Sequence, residues 1–184
     1  MVVLSAMGGC GAGGSGPTIP PDTGRPTTTT TPTAAAIQYT APPDLCKVIA
    51  LAAMTEVYPT TGKPQSYTSD NKRSQFCTLA LLSSTTTVSF TLHVDYNPNA
   101  RGVAEAFKLT HDEMGSAEKL TDAPGLGSGA FWFVDVDRSY LELYDGNLDL
   151  NIRCATVSSG HTLPADLGER LVRVAGGTLA ALRG

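Results

Sequence analysis

The sequence predicts an α+β domain: a five-stranded, mostly antiparallel sheet with helices packed on its apolar side. Three observations predict it. Five segments read as strands, TTVSFTLHVDY with the cleanest apolar–polar alternation, and three stretches repeat apolar residues at helical spacing. The last two strand-like segments, residues 139–155, are joined by a short turn and read as a β-hairpin. From residue 42 the order is helix, two strands, helix, three strands, helix.

PPDLCKVIALAAMTEVY begins with prolines, offers Asp44 as an N-cap and sets Leu45, Ile49, Ala52 and Ala53 on one side of a helix over about 44–57. Pro59 ends it, because proline cannot continue the hydrogen-bonding pattern. TTGKPQSYTSDNKR is polar and turn-rich and reads as a loop. SQFCTLALL (74–82) is a strand with Phe76, Thr78, Ala80 and Leu82 on one side and Cys77, Leu79 and Leu81 on the other. In TTVSFTLHVDY (86–96), Val88, Phe90, Leu92 and Val94 alternate with Ser89, Thr91, His93 and Asp95, which calls for one face on a core and one on water. RGVAEAFKLTHDEM (101–114) carries a helical stripe of Val103, Ala106, Phe107 and Met114, stopped by Gly115. SAEKLTDAPGLGSGA reads as a loop leading into FWFVDV. SYLELY, a turn at Asp145-Gly146-Asn147, and LDLNIRCATV then form a β-hairpin in which Leu141 and Leu143 oppose Leu148, Leu150, Ile152 and Cys154. The final helix bears Leu167, Leu171, Val174, Thr178 and Leu182, with Gly176-Gly177 as a weak point.

The 184 residues, 41% apolar and 16% charged, suffice for one domain, placed at 42–184. A formal charge of −4 with scattered Lys and Arg argues against nucleic acid as the main partner. Residues 1–10 and 11–41 are of another kind. MVVLSAMGGC ends small-small-Cys like the tail of an export segment and resembles a bacterial lipobox, in which the cysteine, here Cys10, carries diacylglycerol; Met7 stands where leucine is usual, and no basic residue precedes it. The competing reading is an incidental cysteine in a disordered N-terminus. Residues 11–41 are a Gly/Pro/Thr linker that cannot repay the entropy of ordering, a composition suited to holding a domain off a membrane. No run of eighteen apolar residues exists, so lipid would be the sole anchor.

Candidate chemistry is sparse. Gly125-x-Gly127-x-Gly129 precedes a strand rather than a helix, so it reads as a tight lead-in, not a phosphate cradle. Asp135-Val-Asp137-Arg-Ser139 begins like a calcium loop and fails at Tyr140 and Gly146. Asp135, Glu142 and Asp149 have no sequence reason to meet as a hydrolytic pair, and His93, His111 and His161 lie on different elements. Cys154 reads as a buried thiol; a nucleophilic role would need His161 beside it and access to solvent. Alternation puts Phe131 and Phe133 on one face and Trp132 on the other, leaving an aromatic outside the main core. Trp132, Tyr140 and Tyr144 are therefore the candidate ligand or partner surface.

The string Cys46…Cys77, then GLGSGAFW, YLELYDGNLDLNIRC and DLGERLVRVAGGTLAAL resembles the actinobacterial lipoprotein family called domain of unknown function 3558, over about residues 10–183. Thr78-Leu79 departs from the Ser-Trp common there. The resemblance implies export, attachment of lipid such as palmitate at Cys10, and a Cys46–Cys77 disulfide clamping a helix start to a strand; it brings no catalytic residue. With Cys10 lipidated, Cys154 is left over. The expectation is a monomeric, non-enzymatic lipoprotein on the outer face of the cell membrane, without cofactor or metal, binding a small ligand or an envelope protein. The alternatives are a scaffold or regulatory partner of a membrane sensor, and a Cys/His or carboxylate hydrolase.

Overall fold

The computed structural model describes residues 37–158 and 160–183; Cys10 and the linker up to residue 36 lie outside them. A 3-10 turn, Leu45–Lys47, is followed by α1 (Ala52–Thr55), β1 (Thr60–Thr61), β2 (Gln65–Thr68), β3 (Ser74–Leu82) and β4 (Thr87–Tyr96). Then come α2 (Ala100–Gly115), β5 (Thr121–Asp122), β6 (Gly129–Val134), β7 (Arg138–Asp145), β8 (Leu148–Thr156) and α3 (Leu167–Arg183). The strands form one sheet in the order β1-β3-β4-β8-β7-β6-β5, with β2 also on β3, and every pair is antiparallel.

The sheet has eight strands, not the five expected. The five are present. The additional ones, β1, β2 and β5, are two to four residues long with every side chain exposed. Such strands carry no burial alternation, so nothing in their side chains distinguishes them from loop; backbone bonding to β3 and β6 defines them.

The helices also do not share one side of the sheet. Along β7, Leu141 and Leu143 join the main core with Leu167, Leu171 and Val174 of α3 and Met54 of α1. The intervening Tyr140 joins Phe131 and Phe133 in a second cluster, against which Phe107 and Met114 of α2 pack. Adjacent strand residues point to opposite faces, so α3 and α1 cover one face and α2 the other.

The helix expected over 44–57 is interrupted. Asp44 caps as anticipated, accepting from the Cys46 amide at 3.0 Å. At Ala50 the amide turns instead to Thr178 Oγ1 of α3 (3.2 Å), and the Ala50 methyl sits where a side chain at Gly177 would stand, 2.5 Å from a Cβ built there. Docking on α3 thus replaces the helix's own bonding at that point. Gly177 is a close-approach site in a continuous helix, not a break.

Cys46 and Cys77 are joined, tying the 3-10 turn to β3 across 31 residues. The folded unit also takes in residues 37–41, placed with the linker by composition. Asn147 accepts from the Tyr39 amide (2.6 Å) and donates to its carbonyl (3.1 Å). Tyr39 donates to Asp145, and Arg183 bonds both Asp145 (2.5 Å) and the Tyr39 hydroxyl (2.7 Å). The turn must carry glycine at 146: its φ is +57°, and a Cβ would fall 2.0 Å from the Ile37 carbonyl oxygen.

Replacing Cys46 and Cys77 together by Ala should lower the unfolding free energy by about 3–4 kcal/mol, the loop-closure value for this separation, read as a fall in guanidinium midpoint with unchanged native circular dichroism.

Candidate functional site

The face under α2 is where side chains gather without being sealed. Val103 is the buried residue of this helix; Phe107 and Met114 are half-buried. Phe107 tilts against Tyr144 (4.7 Å between centroids) and Phe131 (5.4 Å), and His111 stands edge-on to Phe131 at 5.1 Å. Close seating needs glycine at 129, since a Cβ there would fall 2.6 Å from the Tyr144 ring and 3.2 Å from Phe107.

Between α2 and the turn at residues 122–130 lies a cleft of about 600 Å³, of the size that takes a small organic molecule. Phe107 and Tyr144 supply aromatic lining, and Lys108, His111, Asp112 and Asp122 the charged and polar lining. His111 Nε2 is 3.3 Å from Asp122, and Lys108 pairs with Asp112. The turn wall is held from behind. The Ser128 amide bonds the Tyr144 carbonyl (2.9 Å), its hydroxyl bonds Asp145 (2.8 Å), and Gly127, at φ +62°, lies where a Cβ would meet that carbonyl at 2.7 Å.

A polar cluster crosses the same sheet face. Ser74 Oγ is 3.0 Å from His93 Nε2 and bonds Asp95, which is 3.2 Å from the same nitrogen. The three residue types are those of a nucleophilic triad, but their order is not that of one, in which the serine hydroxyl donates to the histidine and the histidine to the carboxylate. The Ser74 hydroxyl donates to Asp95 rather than to the imidazole, and Asn151 Nδ2 lies 3.1 Å from the other ring nitrogen, His93 Nδ1. Burial lowers the His93 pKa, partly opposed by Asp95. His93 stacks on Phe76 at 4.0 Å.

Nearby, Asp149 is the direct cross-strand partner of Asp95, and its Oδ1 is buried without a protein hydrogen bond. Burial first, then the charges of Glu142 and Asp95, push its pKa up to about 7. Glu142, 4% exposed, accepts from Tyr140; burial raises its pKa despite that bond.

The structure disperses the three aromatic candidates. Trp132 packs on the main core, its ring within 2.2–2.5 Å of where a Cβ at Gly168 would stand. Tyr140 is buried beneath α2, and Tyr144 lines the cleft. The outlying aromatics are thus Phe131 and Phe133 rather than Trp132. Cys154 is 1% exposed opposite Ser139, and burial pushes its thiol up to about 12, which leaves no thiolate for nucleophilic attack at neutral pH. His161 instead faces the Thr86 hydroxyl at 3.1 Å. Asp135 pairs with Arg138, and among the described residues no three metal-ligating side chains converge.

The charged mouth of the cleft escaped sequence reasoning. Its one signal was that Phe107 and His111 stand four apart on a helix, next to a glycine-rich turn. No family model, curated protein or solved structure matches this chain.

Because Asp149 holds its proton more tightly folded than unfolded, stability falls as pH rises from about 4 to 7 and stays lower above. Asp149→Asn should therefore stabilise the protein by on the order of 2 kcal/mol at pH 8 and by little at pH 4, measured by thermal unfolding at both pH values.

Proposed function

We propose that this is the binding domain of an exported lipoprotein, held on the outer face of the cell membrane through Cys10, and that the cleft between α2 and residues 122–130 takes a small ring-bearing cation. The observation that carries the binding reading is the cleft itself. Its volume of about 600 Å³ suits one small molecule, and its aromatic pair Phe107 and Tyr144 offers apolar contact. At its mouth Asp112 and Asp122 stand against one lysine, Lys108, so a cation is favoured over an anion. The location rests on the lipobox-like MGGC and the Gly/Pro/Thr linker, and on the likeness of the whole pattern to the actinobacterial lipoproteins.

Tyramine and 4-hydroxyphenylacetate share a ring and differ in charge. Titrated against labelled protein, tyramine should shift amide resonances of residues 104–112 and 122–130 saturably and more tightly than the acid, and Asp122→Asn should erase the difference. A panel of ring-bearing amines that leaves those resonances still would overturn the binding reading.

For the anchor, the protein should be expressed from its natural gene in its natural host. The mature N-terminus should carry an acyl mass on Cys10, and Cys10→Ser should remove that mass and release the protein from membranes. An unmodified Cys10 in the wild type would refute attachment.

A further inference from the structure

The other flank of α2 carries a second groove of different chemistry, about 430 Å³, between Thr110 and Met114 of the helix and strands β6, β7 and β8. Its floor follows from register: Phe133, Tyr140 and Arg153 are successive cross-strand partners on the face that α2 covers. Phe133 and Tyr140 lie 6.1 Å apart with their planes 30° from parallel. A guanidinium stands over each ring, Arg138 at 5.8 Å from Phe133 and Arg153 at 5.3 Å from Tyr140.

The two arginines differ in one decisive respect. Arg138 is compensated by Glu118 at 2.5 Å and Asp135 at 3.6 Å. Arg153 is exposed and makes no ion pair or hydrogen bond among the described residues, so its planar fork of donors is open. The carboxylate two residues from its stacking partner, Glu142, accepts from Tyr140 and feels the Arg153 charge without bonding it directly. An aromatic and thioether floor thus ends at an unpaired guanidinium, in a chain whose overall charge is negative.

We propose that this groove binds an apolar chain ending in a carboxylate, with the chain against Met114, Phe133 and Tyr140 and the carboxylate held by Arg153. Guanidinium matches carboxylate through two parallel hydrogen bonds, whereas an apolar ligand without the charge gains only the floor. The site is separate from the cleft on the opposite flank and does not rest on that cleft's occupancy.

Decanoate and decanol, which differ only in the head group, test it by calorimetry and amide-resonance mapping on the intact protein. Decanoate should bind more tightly and shift residues 110–114, 133 and 138–155. Arg153→Gln, an exposed change that spares the core, should weaken decanoate by on the order of tenfold or more and leave decanol unchanged. Thr110→Trp, filling the groove, should weaken both, with native folding checked by circular dichroism. Equal affinity for the two probes, indifference of decanoate to Arg153→Gln, or shifts confined to residues 104–108 and 122–130 would each overturn the proposal.

Discussion

One buried carboxylate organises this domain. Asp145 receives Tyr39 from the incoming chain, Ser128 from the glycine-rich turn and Arg183 from the end of α3. Burial disfavours its charge, yet the bonds from Tyr39, Arg183 and Ser128 outweigh that and hold its pKa below the ordinary range. An ionised group taken from water must be satisfied on every side, so these donors cannot be removed one at a time without exposing an uncompensated charge. Asp145 ends β7 at the start of its hairpin turn, so the network also fixes where the chain from residue 37 joins the sheet and where the wall of the candidate cleft stands.

The two faces of the sheet obey different rules. On the α3 side, apolar residues from β3, β4, β7 and β8 meet a helix with seven buried positions, and the Cys46–Cys77 bond closes the margin. That face is closely packed along its centre. On the α2 side, a helix with one buried residue sits over a narrow aromatic patch, and the rest of the face is polar. Cross-strand pairing there sets Asp95 against Asp149, an arrangement that destabilises a sheet when both are charged. Tolerating it is consistent with a surface whose composition is not set by packing alone.

What could be read in the sequence divides along the same line. Val88, Phe90, Leu92 and Val94 alternate strictly because one side meets a close-packed core and the other does not, so β4 and its register partner β8 were legible residue by residue. β1, β2 and β5 were not, because exposed two- to four-residue strands exist only through a neighbour's backbone. The break in the helix after Asp44 was hidden for a related reason: it depends on Thr178 and Gly177, more than a hundred residues away. Counting Ala106 in the α2 stripe failed because a small alanine registers as apolar at no cost in water, and this one is exposed. Within the site, alternation along the aromatic strand correctly parted Trp132 from its neighbours. It could not say which side α3 would claim, since a strand pattern fixes relative faces but not the identity of the layer above each.

That ambiguity has a physical resolution in glycine. Gly168 on α3 leaves space that the Trp132 ring fills, so the larger aromatic goes to the closely packed face. Phe131 and Phe133 are left for the other face, where they are buried with Phe107, Met114 and Leu120 against them, and Gly129 lets Phe107 and Tyr144 close over the strand's start. A helix seated on a few rings leaves room on both flanks, and the flanks differ because sheet register does. Toward the glycine-rich turn the neighbours are Asp112 and Asp122 with Lys108; toward β8 they are Arg153 and the ion-paired Arg138. The contrast between the two sides of one loosely seated helix follows in part from which strand ends lie beneath it.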